Sequence, residues 1–256
     1  MAHLSRPDGC RLYYELHGEP SSPPLLLLEG MGGDVPGWRR NIPALATACR
    51  VIAYDHRGNG RSDDPTGPVT MQTFVEDACA VLDAVRVERA HLYGQSFGGM
   101  VALELALTHP ARVRTLILAA THAGPSQAAP VEDRPVPKDE PWRSLYAPGF
   151  PDAHPEHVAD DLAVARAGAQ HGTGERRQWE AMQGFDAYDR LGGLQMPTLI
   201  VHGTEDRLVA PANAERLAAE IPGAELRWLD GAGHLYHSEQ AAAADAAVLD
   251  FIERHQ

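Results

Sequence analysis

Arg89-Ala-His-Leu-Tyr-Gly94-Gln-Ser96-Phe-Gly98-Gly99-Met-Val-Ala-Leu103 reads as three things in succession: a short apolar strand, a Gly-x-Ser-x-Gly turn and the start of a helix. Composition alone would produce about 0.07 matches to that five-residue pattern in a chain like this one, so the bare pattern is suggestive and its context makes it strong. A serine at a sharp turn leaving a buried strand must adopt strained backbone angles. Small residues two before and two after it let strand and helix approach closely, and Gly94 and Gly98 supply that clearance. The turn points the Ser96 hydroxyl out of the sheet, while the helix from Phe97 aims its free N–H groups at any oxyanion formed there.

Working outward, short apolar runs recur at Leu25–Leu28, Val51–Tyr54, His91–Tyr93, Thr115–Ala120, Thr198–Val201 and Leu226–Leu229. Amphipathic stretches lie between them, among them Met71–Val85, Phe97–Thr108 and Ala212–Glu220. This alternation predicts an α/β fold, a mainly parallel twisted sheet with helices on both faces. Gly9–His17 reads as an antiparallel edge hairpin. One region breaks the rhythm: eight prolines between Pro125 and Pro155 exclude a continuous helix or central strand, and two polar helical candidates, His157–Ala169 and Glu175–Gly184, follow. A long structureless loop is uncommon inside a compact domain, so residues 125–190 are expected to form a small helical lid on a core made of residues 1–124 and 191–256.

The chain has 256 residues, 22 basic against 35 acidic, for a net charge of −13 with no run of Lys or Arg longer than two residues. Nucleic acid and anionic membrane surfaces are therefore not expected partners. No apolar stretch approaches the roughly 20 residues that span a bilayer, and the amino terminus lacks a signal-like apolar core. Cys10, Cys49 and Cys79 are odd in number and widely spaced, with no Cys-x-x-Cys pair. A cytoplasmic setting is expected. No metal, nucleotide or other cofactor site is indicated, because no Gly-x-Gly-x-x-Gly or Gly-Lys-[Ser/Thr] motif occurs.

A serine hydroxyl needs an adjacent base oriented by an acid. Asp206 falls in the loop after the run Thr198–Val201, and His234 falls in Asp230-Gly-Ala-Gly-His234 after the last run, giving the chain order serine, acid, histidine. With these residues in place the chain resembles the α/β-hydrolase fold family along nearly its whole length outside the lid. Gly94-Gln-Ser-Phe-Gly98 resembles the family's nucleophile elbow, His202–Val209 its acid loop, Gly231-Ala-Gly-His234 its histidine loop, and Asp55-His-Arg-Gly-Asn-Gly-Arg-Ser-Asp63 a turn of its lidded members. The resemblance implies Ser96 as nucleophile, His234 as general base and then acid, and Asp206 as orienting carboxylate. The oxyanion donors are expected to be the backbone N–H groups of Phe97, the residue after the nucleophile, and by family position Met31. Glu29 stands where the family usually has histidine; the expectation for it is a buried carboxylate bonded to loop amides.

The competitors are weaker. Glu205 adjoins Asp206 but is expected at the rim; Ala119–Gly124, where some members carry the acid, has no carboxylate. His202 is expected to be structural, and His237 to make a lid or surface contact. The 55–63 turn is expected to be held by pairing among Arg57, Arg61, its aspartates and backbone. Trp142, Tyr146, Phe150, Trp179 and Phe185 could shape a pocket or form the lid's own core.

The implied activity is transfer of an acyl group from a small-molecule ester or lactone to water through an acyl-enzyme, failing in acid as His234 becomes protonated. It requires the His234 imidazole within reach of Ser96. A thioesterase, a carbon–carbon bond hydrolase or a cofactor-free perhydrolase would use the same residues, and a hydrolase-like ligand receptor is the non-enzymatic alternative. Dehalogenases and epoxide hydrolases with an aspartate nucleophile are excluded by the serine. Oligomeric state is not encoded in anything above.

Overall fold

The computed structural model describes residues 2–64, 67–131, 136–168 and 173–256. Eight strands, β1 (Ala2–Ser5), β2 (Arg11–His17), β3 (Pro24–Leu28), β4 (Arg50–Tyr54), β5 (Ala90–Gln95), β6 (Val113–Ala119), β7 (Thr198–Gly203) and β8 (Glu225–Leu229), form one sheet in the order β1-β2-β4-β3-β5-β6-β7-β8. β1 and β2 pair antiparallel, as do β2 and β4; every other pair is parallel. The edge hairpin is larger than Gly9–His17, because Ala2–Ser5, too short and mixed to signal a strand, supplies its first arm.

The helices among the described residues are α1 (Ile42–Leu45), α2 (Met71–Ala84), α3 (Phe97–Thr108), α4 (Phe150–Ala153), α5 (Pro155–Gly168), α6 (Gly174–Gln183), α7 (Ala212–Glu220), α8 (Tyr236–Glu239) and α9 (Ala241–Arg254), with short 3-10 turns at Val35–Arg40, Pro141–Leu145 and Tyr188–Gly193. Their placement explains the sequence pattern. β5 and β7 are buried at every residue because helices cover both faces of the sheet, whereas edge strand β8 alternates exposed and half-buried residues. α3 is buried on almost every face, which is why Phe97–Thr108 is so apolar. One core layer packs α2, α3 and part of α6 on one face of the sheet; the other packs α9 and the segment around Trp38 on the opposite face.

Between β6 and β7 the described residues before Pro141 form no helix or strand, and the 3-10 turn Pro141–Leu145 and helices α4, α5 and α6 follow. Pro135 and Ala169 lie outside the described residues. α5 packs on the 3-10 turn Val35–Arg40, and α6 packs on α2 and α3. The insertion is fastened by side chains far apart in sequence: Arg39 and Arg40 pair with Asp160 and Asp161, and Arg177 pairs with Asp64.

The topology sets the place of the site. From β3 the chain turns to β4 on one side, and later returns to β5 on the other side of β3. The loops leaving β3 and β5 therefore diverge and leave a crevice at the carboxyl ends of the strands.

Candidate active site

The crevice is a cavity of about 350 Å³, walled by the loop after β3, by Gln95 and Ser96 after β5, by His234–Ser238 and by Leu145, Val164 and Ala165 of the insertion. Ser96 sits at its floor with φ 53° and ψ −116°, a left-handed conformation that L-residues adopt only under constraint. The constraint is visible: its N–H donates to Ala119 O at 2.8 Å and its carbonyl accepts from Thr121 Oγ1 at 2.7 Å. A β-carbon on Gly94 would overlap the Gly98 carbonyl, and one on Gly98 would overlap the Leu28 carbonyl, so both glycines are required for β3, β5 and α3 to meet here.

Asp206 is buried after β7, and its carboxylate is saturated. Oδ1 accepts the N–H groups of Leu208 and Val209 at 2.8 and 2.9 Å, while Oδ2 accepts from His234 Nδ1 at 2.8 Å and lies 3.2 Å from His202 Nε2. Burial by itself would raise this carboxyl, but His234 and His202 together hold it well below the usual carboxylate range. His202, also 2.9 Å from the Val209 carbonyl, thus braces the acid loop, as its structural assignment anticipated. Glu205 is partly buried at a neighbouring surface cleft, away from this cavity.

His234 is 3% exposed and uses Nδ1 on Asp206, which leaves the Nε2 lone pair free to accept. That lone pair is met at 3.2 Å by Gln95 Nε2, not by the Ser96 hydroxyl. The histidine loop is held to the insertion by Leu235 N–H to Leu145 O at 2.9 Å and by Glu239, whose Oε1 accepts from Gly233 and Ala147, each at 3.1 Å. His237 is buried, not superficial: its ring lies 5.1 Å from that of Trp38 and its carbonyl accepts from Asn41 at 3.0 Å. α8 turns back into the protein directly after the histidine loop, a course its polar sequence does not announce.

The N–H groups of Met31 and Phe97 donate to no protein acceptor among the described residues, whereas those of Gly30, Gly32 and Ser96 do. Gly30 N–H donates to Glu29 Oε1 at 3.1 Å, and Gly32 N–H to Gln178 Oε1 at 2.8 Å. Gln178, on α6 and wholly buried, is the contact that sequence reasoning missed, since one glutamine on a polar helix carries no signal of where it will reach. Glu29 is buried as expected but meets a single loop amide; its Oε2 is buried without a partner, and burial, helped by the nearby Asp34 and Asp55 carboxylates, pushes its carboxyl up to about 8. A neutral acid therefore braces the loop at pH 7.

The 55–63 turn is structural, with one difference from expectation. Asp55 accepts from Val35 and Arg61 N–H, but Arg57 reaches outside the turn to Asp77 and Asp8, and Asp63 pairs with Arg11. None of the five aromatic residues singled out in the insertion lines the cavity. Tyr146 and Phe150 stack on each other, Phe185 joins the core, and Trp179 is 53% exposed. Among the described residues no cluster of three His, Cys, Asp or Glu is placed to hold a metal, and no helix is long and apolar enough to cross a membrane.

Comparison with known proteins accords with this architecture. Residues 23–171 and 142–241 match the family model for the alpha/beta hydrolase fold, and the chain belongs to that family. It is 32% identical over 263 residues to a Variovorax paradoxus protein provisionally named the carbamate hydrolase RutD, covering 95% of this chain and 96% of that one. It is 33% identical to the 2-hydroxymuconate semialdehyde hydrolase of Pseudomonas sp. strain CF600, covering 93% of this chain and 89% of that one. The crystal structure of the enol-lactonase from Burkholderia xenovorans LB400 superposes with a TM-score of 0.86 at 27% identity, covering 98% of this chain and all of that one.

Proposed function

We propose that the protein is a serine hydrolase that cleaves an ester or lactone of a small, uncharged organic substrate through an acyl-enzyme, with residues 125–190 serving as its lid. In this reading Ser96 attacks the carbonyl while His234, oriented by Asp206, takes the hydroxyl proton. The developing oxyanion is received by the N–H groups of Met31 and Phe97, and His234 then activates water to release the acid. The observation that carries the reading is the convergence on one cavity of a strained serine, a histidine fixed to a buried carboxylate, and two backbone donors without an acceptor among the described residues. A cavity of this size suits a small molecule.

Charge separates this reading from carbon–carbon bond cleavage. A muconate semialdehyde, the substrate in the Pseudomonas relative's name, carries a carboxylate. Among the described residues the cavity is lined by Glu29, Asp34, Asp161 and Glu175 and by a single cationic side chain, Arg39, whose guanidinium is already engaged by Asp160 and Asp161. A carboxylate brought there would meet carboxyl groups and no free cation. The deciding experiment is hydrolysis of 4-nitrophenyl esters whose acyl chains end in methyl, ammonium or carboxylate, alongside lactones, thioesters and a dienoate, with Ser96→Ala as control. The reading expects turnover of the methyl-ended esters or of lactones, little for the carboxylate-ended ester, and none by Ser96→Ala. Preference for the dienoate would overturn it.

A further inference from the structure

No hydrogen bond joins the proposed general base and nucleophile in this structure, and the side chain that meets His234 Nε2 is Gln95. Its Nε2 lies 3.2 Å from His234 Nε2 and 3.5 Å from the His234 carbonyl. Because His234 Nδ1 commits its proton to Asp206, the facing Nε2 is an acceptor, so the carboxamide NH2 is the donor. Gln95 is 2% exposed, yet it contributes to the cavity wall beside Ser96. Its Oε1 occupies the space above Gly30, where any β-carbon would overlap it, so the bare backbone of the oxyanion loop makes the room in which the carboxamide lies.

We propose that Gln95 is a positioning residue that caps His234 Nε2 while the site is empty and releases it when a substrate carbonyl enters beside Gly30 and Met31. The cap has to open for chemistry. An Nε2 that accepts from Gln95 cannot accept from Ser96 along the same lone pair, and once His234 is protonated a facing N–H donor would be repelled. A second acceptor for the NH2 group, the His234 carbonyl, lies 3.5 Å away, and the carboxamide can turn toward it as the cap opens. In the closed state the cap favours neutral imidazole and holds the ring on Asp206, and Ser96 stays unactivated until the cavity is filled. The inference rests on the serine-hydrolase reading and adds to it a residue inside the elbow motif that the motif itself leaves variable.

Two substitutions test it, followed by the rate of fluorophosphonate capture at Ser96 and by the pH profile of 4-nitrophenyl acetate hydrolysis. Gln95→Met keeps the length and removes the donor; Gln95→Glu is isosteric and prefers the protonated ring. Gln95→Met should be captured roughly 3- to 10-fold faster at pH 7, the worth of one ordinary hydrogen bond. The acid limb should move to higher pH in the order wild type, Gln95→Met, Gln95→Glu. Charged or titratable groups around the imidazole are Asp206 on the acid loop with His202 behind it, His122 after β6, and His237 and Glu239 on α8; all are common to the three proteins, so the order isolates Gln95. Capture at Ser96 with unchanged or slower rates and superimposable pH profiles would overturn the cap alone. Absence of capture at Ser96 in all three proteins, with 4-nitrophenyl acetate still hydrolysed, would overturn the serine reading and the cap together.

Discussion

The cavity has two halves of different origin. One is borne by the sheet: Ser96, Asp206 and His234 each occupy a short loop at the carboxyl end of a strand, and each is fixed by bonds to backbone or to a buried partner. The other is borne by the insertion, which touches the site through Gln178 on Gly32, the Ala147 N–H on Glu239 of α8, and the Asp160 and Asp161 pairs with Arg39 and Arg40. The first half is positioned by the fold and is suited to chemistry. The second is attached by those polar contacts, which span long sequence separations, and by the packing of Ala181, Met182 and Phe185 into the core, so its position depends on partners distant in the chain.

That contrast orders the expected effects of substitution. Replacing Ser96 or His234 by alanine should lower kcat/KM for a good ester by about 10⁴-fold or more with little change in melting temperature, measured by steady-state kinetics and calorimetry. Asp206→Asn should lower it by about 10²- to 10⁴-fold, because the wrong histidine tautomer is favoured. It should also lower the melting temperature, since the same carboxylate holds the Leu208 and Val209 amides and faces His202. Equal losses for a conservative substitution in the insertion would erase the distinction between the halves.

Gln178→Leu, on the insertion side, leaves the Gly32 N–H without its acceptor and should cost about 1–2 kcal/mol of transition-state stabilisation, roughly 5- to 30-fold in kcat. Gln178→Glu, which can still accept, should recover most of it. Trp179→Ala should change KM and kcat by less than about twofold, because that side chain points away from the cavity.

The sheet half was legible in the sequence because each of its residues is announced by its own neighbours: Gly94 and Gly98 around Ser96, an apolar run before Asp206, small residues before His234. The insertion half was not. Its proline content excluded regular structure in one stretch, and its two longer helices could be placed within a residue or two, but which of their polar residues face inward depends on partners more than a hundred positions away, as Arg39 and Asp160 show. Gln95 lies between these cases. It was plainly visible inside the elbow motif, yet its contact with His234 depends on the path of a loop 139 residues later. Glu29 was recognised as a departure, and its solitary amide partner became apparent only once the loop's geometry was known.

Glu29 also gives a smaller, pH-dependent prediction. Its carboxyl, pushed up to about 8 by burial, holds its proton in the folded protein well above the ordinary value of 4.5 at which an unfolded chain releases it. Between those values the folded state binds more protons, so this group makes stability decline as pH rises. Glu29→Gln cannot ionise and escapes the decline. The melting temperature of the variant minus that of the wild type should therefore grow from pH 4.5 to pH 8 and level off above it; a difference independent of pH would show that Glu29 is ionised in the folded protein.

The most direct test of the central claim is to map a fluorophosphonate adduct by peptide mass spectrometry in the wild type, Ser96→Ala and His234→Ala. The expected result is one adduct per chain on Ser96, none in Ser96→Ala, and capture slowed by orders of magnitude in His234→Ala. An esterase-active wild type that carries no adduct on Ser96, or one captured at the same rate without His234, would contradict it.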